Sequence, residues 1–255
     1  MSRFERWKQI GQPLIGVAGL LAVWEIAAQS GLVDPFLLPT VGQTVEALAR
    51  GVTSGPLLGD LAGTLDRTGT SFFIACVLAV PLGVALGSSA NVYRSFEFVI
   101  DFFRSTPASA LFPLFMVVFG AGDTTKIAAA TFGAGLVVLF NSAYGVMNAR
   151  KTRILAGKVM GVGRLRLLLD IMLREAMPQI IVGMRGGVSI ALIIIIVSEM
   201  LIGSSDGLGY RIYAAQVLFD MPTMYGVIFA TGAVGYAFNL FFLILDRRFI
   251  HWGGK

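Results

Sequence analysis

Six stretches of apolar sequence, each about as long as a membrane-spanning helix, constrain this chain more than any other feature. A helix needs about 20 residues to cross the hydrocarbon layer of a bilayer. The predicted spans are residues 13–30, 68–88, 98–120, 127–147, 180–202 and 225–245. Of the 255 residues, 56% are hydrophobic and 14% are charged, which is too apolar for a water-soluble core of this length. The sequence therefore predicts an all-α membrane protein with six transmembrane helices in one transmembrane domain, residues 1–255.

The basic residues between the spans predict the orientation of the chain. Alternate hydrophilic segments carry fourteen Lys and Arg residues, whereas the other set carries four: Arg50, Arg67, Lys126 and Arg211. Because Lys and Arg concentrate in cytoplasmic loops, both termini and the segment 148–179 are expected in the cytoplasm. This distribution accounts for the net charge of +5 without a nucleic-acid partner.

The N-terminus combines a basic start, residues 1–12, with an apolar stretch, as secretory signals do. Trp24 and Glu25 interrupt that stretch, and no clear A-x-A cleavage site follows it. We expect a cytoplasmic N-terminus followed by a retained first span. A cleaved signal is the less favoured alternative.

The sequence lacks the residue patterns of an enzyme. It has one cysteine, Cys76, and one histidine, His251, so it offers neither a metal-binding cluster nor a nucleophile with a histidine base. An ATP-binding P-loop needs a glycine-rich turn before Gly-Lys-Ser/Thr. The two Gly-Lys pairs, at Gly157 and Gly254, do not meet this pattern. We therefore predict no catalytic residue, no metal site and no cofactor on this chain.

Two features are expected on the outer side. In "LPTVGQTVEALAR", Thr40 is a candidate N-cap and Gln43 follows at the capping-box position, which predicts a short amphipathic helix. The stretches "GAGDTTK" and "SSDGLGY" have the composition of tight turns, with Asp206, Gly207 and Gly209 expected to supply positive φ angles.

The cytoplasmic segment 148–179 is longer than a connection needs to be, which predicts that it folds and contacts something. Apolar residues recur at helical spacing from Ile154 to Val162, and Gly161 and Gly163 are expected to end that helix. A second helix resumes at Leu165 and enters the fifth span after Pro178. The segment therefore predicts a helix displayed on the membrane surface. The alternative is a helix lying on anionic membrane lipid, which explains the charge but not the glycine break.

Polar residues within the spans are candidates for the transport pathway, because a charge in hydrocarbon needs a partner or water. The candidate pathway or gate residues are Arg104, Ser105, Thr106, Ser109, Asn141 and Glu199. Three of them have a structural alternative: a pair between Asp101 and Arg104, hydrogen bonds between helices for Asn141, and a salt bridge within the bundle for Glu199.

Five segments in order resemble the membrane-spanning permease subunits of bacterial ATP-binding-cassette (ABC) importers. The resemblance is to the branch that includes the nitrate, taurine and alkanesulfonate permeases. The segments are "FLLPTVGQTVEAL", "FFRSTPASALFPLFMVVFGAGDTTKI", "LAGKVMGVGRLRLLLDIMLREAMP", "SEMLIGSSDGLGY" and "DRRFIHW". In the third, Leu155, Ala156 and Gly157 occupy the positions of the family's E-A-A motif, and Gly161 matches its glycine. Leu155 replaces the motif's glutamate, and Arg174 replaces the first proline of its leucine-proline pair.

The resemblance implies a type I ABC importer permease fold in the bacterial inner membrane, with a coupling helix that docks on a separate ATPase. The residues expected to couple to the ATPase are Leu155, Ala156, Gly157, Lys158, Val159, Gly161, Val162 and Arg164. The implied partners are an ABC ATPase dimer that binds ATP and Mg²⁺, a second permease copy or paralogue, an external solute-binding protein and membrane lipid. The implied solute is small and anionic, such as a sulfonate, taurine, nitrate or bicarbonate.

A secondary, ion-coupled transporter is the alternative function. Such transporters place coupling-ion sites in corresponding halves of an internal repeat. Glu25 and Asp101 do not occupy corresponding halves. The sequence therefore favours a subunit that borrows its energy from an ATPase.

Overall fold

The computed structural model describes residues 3–249, which form helices joined by short turns and contain no strand. His251 and Lys255 lie outside the described residues. The α-helices are α1 (Arg3–Gln29), α2 (Val41–Thr53), α3 (Leu57–Gly87), α4 (Ala90–Ser105), α5 (Phe112–Phe119), α6 (Asp123–Met147), α7 (Lys151–Val159), α8 (Arg164–Arg166), α9 (Leu173–Leu201), α10 (Leu208–Val217) and α11 (Met221–Phe249). A 3-10 turn, Ala108–Leu111, precedes α5, and a π-helical segment, Leu167–Met172, joins α8 to α9.

Four helices of the described chain are long and apolar enough to cross a membrane: Leu57–Gly87, Asp123–Met147, Arg164–Leu201 and Met221–Arg248. The first predicted span falls on α1, whose described apolar part is Leu14–Gln29. The segment 98–120, which the sequence predicts as one continuous span, is broken in the structure. It is divided between α4 and the helical segment Ala108–Phe119, which meet at an angle of 89°. Thr106 has φ −83° and ψ 123° because the ring of Pro107 disfavours helical geometry in the residue before it.

The chain divides into two compact units. One comprises the residues up to Leu58 together with Arg211–Ala230, and the other comprises Gly59–Tyr210 with the residues from Thr231 onward.

The larger unit is built on close packing between α6 and α9. Small residues make this approach possible, as they do in other membrane helix pairs. A side chain at Gly187 would meet Val138, and one at Gly145 would meet Gln179 and Ala176. The buried residues at this contact include Ala129, Ala130, Ala134, Val138, Ala191, Ile194 and Ile195.

The smaller unit contains the predicted amphipathic helix α2. The hydroxyl of Thr40 accepts a hydrogen bond from the amide of Gln43, and the Gln43 side chain accepts one from the amide of Thr40. The predicted capping box is therefore confirmed. Trp24 of α1 donates from Nε1 to the carbonyl of Pro39 and stacks on Phe229, with ring centroids 5.1 Å apart.

Candidate functional site

The predicted cytoplasmic helix is α7, and it ends where the glycines indicate. Its last turn is followed by Met160 and then by Gly161, whose φ of +75° lies in the left-handed region that favours glycine. The amide of Val162 donates back to the carbonyl of Gly157, which closes the turn. Gly163 then caps a continuous helix that begins at Arg164 and runs to Leu201. The second helix of the predicted loop is thus part of a 38-residue helix.

Two contacts fix α7 to the start of this long helix. Gly157 is buried, and a Cβ atom placed on it would lie 2.7 Å from Cδ1 of Ile171 and 2.9 Å from Cδ1 of Leu167. Glu175 pairs with Arg153 and, at 3.7 Å, with Arg150. An apolar contact and an ion pair therefore join α7 to the π-helical segment and to the first turn of α9.

The opposite face of α7 is open and apolar. Val159 is 89% exposed, and Leu155, one turn earlier, is 60% exposed. Met160 and Leu165 are also exposed, whereas Val162 is half-buried. Ala156, Lys158, Gly161 and Arg164 are exposed around this face. The exposed side of α7 is therefore a small apolar surface bordered by basic residues. The other side of α7 is held against the long helix by Gly157 and by the ion pair of Arg153 with Glu175.

The candidate pathway residues Arg104, Ser105, Thr106 and Ser109 lie at the bend between α4 and α5. The hydroxyl of Thr106 donates to the carbonyl of Phe102, and Ser105 and Ser109 are exposed. Arg104 donates to Asp101 at 3.2 Å, and its guanidinium carbon lies 3.9 Å from the ring centroid of Phe140 on α6. The pair between Asp101 and Arg104 is therefore present, together with an aromatic support that the sequence did not indicate.

Asn141 bridges two helices. Its side-chain oxygen accepts a hydrogen bond of 2.8 Å from Gln179 of α9, and its amide donates to the carbonyl of Val137. A side chain at Gly183 would collide with Asn141, so this contact also sets how closely α6 and α9 approach. The structure thus gives Asn141 the interhelical hydrogen bond that was the alternative to a pathway position.

Glu199 belongs to a buried ionic cluster centred on Arg67. Arg67 donates to Glu199 at 2.9 Å, to Asp123 at 2.9 and 3.3 Å, and to the side chain of Asp206 at 2.8 Å. A fifth bond reaches the carbonyl of Asp206 at 3.4 Å, so all five N–H donors of the guanidinium are occupied. Lys126 joins the cluster through Asp123 and Ser204. The salt-bridge alternative for Glu199 is therefore the one that the structure contains.

The same cluster holds the turn before α10. The backbone amides of Gly207, Leu208 and Gly209 donate to Asp60, Thr64 and Glu199 respectively, at 2.8–3.0 Å. Gly207 has the expected positive φ, +113°, and Gly203, which was not predicted, has a φ of +79°. The prediction was wrong for Asp206, which has no positive φ, and for Gly209, which is the second residue of α10. The small size of Gly209 matters for another reason, because a Cβ atom there would collide with the carbonyl of Ile196 and with Glu199.

The sequence did not indicate Arg67, Asp123 or Asp206 as functional residues. Arg67 was assigned to an outer segment because it precedes an apolar stretch, yet its side chain is 7% exposed. Among the described residues, no group of His, Cys, Asp and Glu side chains is arranged to hold a metal ion.

Comparison with known proteins identifies the family. The binding-protein-dependent transport system inner membrane components match residues 79–251. The chain belongs to this family. It is 28% identical over 258 residues to the taurine transport system permease protein TauC of Escherichia coli (strain K12), covering 98% of this chain and 94% of TauC. It is 26% identical over 263 residues to the bicarbonate transport system permease protein CmpB of Synechococcus elongatus, covering 98% and 92% of the two chains.

Solved structures agree on the fold of the permease. A chain of the inward-facing MetNI methionine ABC transporter superposes with a TM-score of 0.68 at 21% identity, covering 77% of this permease and 99% of that chain. A chain of an amino acid ABC transporter gives a TM-score of 0.65 at 17% identity, covering 79% and 98%. The permease therefore has the type I ABC importer fold that the sequence resemblance implied.

Family membership decides between the two transporter classes. The protein is a multi-pass inner membrane permease subunit of an ATP-driven, binding-protein-dependent importer. ATP hydrolysis belongs to a separate ATPase subunit, and the solute is delivered by a separate binding protein. The secondary-transporter alternative is set aside.

Proposed function

We propose that α7 is the coupling helix of this permease and that its apolar face docks on the ATPase subunit. The observation that supports this proposal best is the exposure of Leu155 and Val159 on a helix that is fixed from behind by Gly157 and Glu175. An exposed apolar patch with a polar border is typical of a protein–protein contact. The missing motif glutamate at Leu155 is consistent with docking that depends more on apolar area than on an ion pair.

Two attachments make α7 and the long helix move together. When the ATPase pair binds ATP and Mg²⁺ and closes, it displaces α7, and the ion pair between Glu175 and Arg153 carries the displacement into the helix Arg164–Leu201. A permease dimer, formed with a second copy or a paralogue, would present two such helices to the two ATPase subunits. Opposed movement of the two long helices would switch the pathway between its inward-facing and outward-facing states.

We further propose that both termini and α7 face the cytoplasm. The excess of Lys and Arg on that side supports this orientation. Lys158 and Arg164 line a cavity of about 590 Å³ beside Ser88 and Ser89. Anionic lipid headgroups at the cytoplasmic surface would be attracted to these two cations.

The transported solute is proposed to be a small anion. TauC and CmpB are named for taurine and bicarbonate, and each covers nearly the whole chain. Taurine carries a sulfonate, so both solutes bear an anionic group that a pathway must accept. Nitrate and alkanesulfonates also carry an anionic group, so a pathway for them must accept the same kind of charge.

Docking through α7 can be tested by Val159→Asp. The residue is almost fully exposed, so the variant should fold normally, while a charge in the apolar surface should prevent stable docking. We expect the variant to lose co-purification of the ATPase and ATP-driven uptake together. Asn91→Asp is the control, because it adds the same charge at an exposed position of α4. Unchanged assembly of Val159→Asp would refute the proposed docking face.

The energy source is tested in right-side-out vesicles loaded with ATP and supplied with the binding protein outside. Uptake that needs ATP and survives a proton ionophore is expected for the importer. Loss of uptake on addition of the ionophore alone, with ATP present, would instead support ion-coupled transport.

A further inference from the structure

We propose that Arg104 is an anion-binding residue of the translocation pathway, at which the solute's negative group pauses between the binding protein and the cytoplasm. This inference rests on the proposed function and names a residue that would recognise the proposed solute class.

The contact between Arg104 of α4 and Phe140 of α6 indicates the depth of the charge along a membrane-spanning helix. Its guanidinium contacts Phe140, which lies 17 residues after Asp123 and 7 residues before Met147. At 1.5 Å per residue, the contact is about 26 Å from one end of α6 and about 10 Å from the other. A hydrocarbon layer about 30 Å thick, centred on this helix of about 38 Å, would leave about 4 Å of helix beyond each face. In that position the contact with Phe140 lies about 6 Å inside the hydrocarbon, on the side of Met147.

A charge at that level has to face water or a partner, because exposure to lipid is too costly. The side chain of Arg104 is 41% exposed, so the protein does not enclose it. The backbone beside it is irregular from Thr106 to Pro107, and irregular backbone at membrane depth is tolerated only where it is buried in protein or lines a water-filled cavity. Ser105 and Ser109 are exposed at the same bend. The exposure of this bend favours the water-filled cavity, so in the proposal this face of the chain lines the aqueous pathway.

Arg67 and Arg104 both have carboxylate partners, but they differ in how many further hydrogen bonds their guanidinium groups can donate. Arg67 uses all five N–H donors and is buried, so it can bind nothing further. Arg104 makes one hydrogen bond, from Nη1 to Asp101, and its guanidinium carbon lies 3.9 Å from the ring centroid of Phe140. The ring supports the guanidinium on one side, and the other N–H donors of the guanidinium remain open to a ligand. A planar edge with several donors matches the oxygens of a sulfonate, nitrate or bicarbonate group.

The test uses the permease with its ATPase in proteoliposomes, supplied with its external binding protein and with radiolabelled taurine, ethanesulfonate, nitrate or bicarbonate. Uptake and ATP hydrolysis are measured together. Arg104→Gln should lower uptake of the best-transported anion at least about tenfold, the effect of losing one charge-assisted hydrogen bond. ATP hydrolysis stimulated by the binding protein should stay within about twofold of the wild type, because the site does not touch the ATPase contact. Arg104→Lys should be intermediate, since it keeps the charge and loses the planar edge.

Asp101→Asn separates this role from a purely structural pair. It removes the same ion pair but leaves the guanidinium free, so uptake should remain at half of the wild-type value or more. Equal losses in Asp101→Asn and Arg104→Gln would overturn the proposal, and so would unchanged uptake in Arg104→Gln. Wild-type transport of a solute that has no anionic group, and of none of these four solutes, would also overturn it. If the wild type shows no ATP-dependent uptake at all, the proposed function itself fails, which is a different result.

Discussion

Arg67 donates a hydrogen bond from Nη1 to Oε1 of Glu199 at 2.9 Å, and the two side chains are 7% and 0% exposed. This pair joins α3 to the end of α9. Through Thr64 and Glu199 it also holds the amides that begin α10. The cost of removing two charges from water is offset only because every donor of Arg67 has an acceptor.

We predict that Arg67→Gln destabilises the permease strongly. The substitution leaves Glu199 buried without its cation, and breaking a buried pair from one side costs about 3–5 kcal/mol. The thermal midpoint of the purified protein in detergent should fall clearly. Arg50→Gln is the matched control, because Arg50 and Glu46 form an exposed pair at 3.8 Å on α2. That control should change the free energy of unfolding by less than about 1 kcal/mol. Similar midpoints for the two variants would contradict the assignment.

Gly209→Ala should also destabilise the protein, for a steric reason. A Cβ atom at this position would collide with the carbonyl of Ile196 and lie 2.8 Å from Cβ of Glu199. Neither atom can move without disturbing α9 or the ionic cluster. Gly59→Ala provides the comparison, because Gly59 lies in α3 with open space around it. Alanine there should be neutral or stabilising by up to about 1 kcal/mol. A thermal midpoint for Gly209→Ala that equals the Gly59→Ala value would show that the turn can adapt.

Local signals explain which parts of this fold could be predicted from the sequence. The capping box at Thr40 and the end of α7 at Gly161 depend on residues within a few positions of each other, so both are visible in the sequence. The partners of Arg67 lie 56, 132 and 139 residues away, and no local pattern connects them. The bend at Thr106 is an intermediate case. Pro107 marks it in the sequence, but the apolar composition of 98–120 suggested one continuous span.

The candidate site, like the fold, has features that local sequence predicts and features that depend on distant residues. The exposed positions of α7 follow from helical spacing, whereas the attachment of Gly157 to Ile171 requires the long helix to turn back on α7. The aromatic support for Arg104 could not be predicted either, because Phe140 is on another helix. Tertiary contact, and not local preference, determines which polar residues are open to a ligand.

Thr40→Ala should loosen the start of α2 without affecting the larger unit. The hydroxyl of Thr40 accepts a hydrogen bond from the amide of Gln43. Losing such a cap lowers the stability of the helix by about 0.5–2 kcal/mol. Hydrogen exchange measured by mass spectrometry should be faster in the peptide covering the first turn of α2. Thr53→Ala removes a hydroxyl that bonds the carbonyl of Ala49 at the other end of the helix, and it should leave that first turn protected. Equal exchange in both variants would mean that other contacts hold the turn.

Gly157 allows a graded test of the link between α7 and the long helix. Alanine should be tolerated, because the atoms that its Cβ would meet are the flexible ends of Ile171 and Leu167, which can shift. It would also restore the alanine of the E-A-A motif. Phenylalanine cannot fit in this contact, so Gly157→Phe should separate α7 from the π-helical segment while leaving Leu155 and Val159 exposed. We therefore expect ATPase subunits to co-purify with both variants, whereas uptake per ATP hydrolysed should fall only in Gly157→Phe. A normal ratio of uptake to hydrolysis in Gly157→Phe would show that movement reaches the long helix by another route, and loss of the ATPase from Gly157→Ala would show that the contact is part of the docking surface itself.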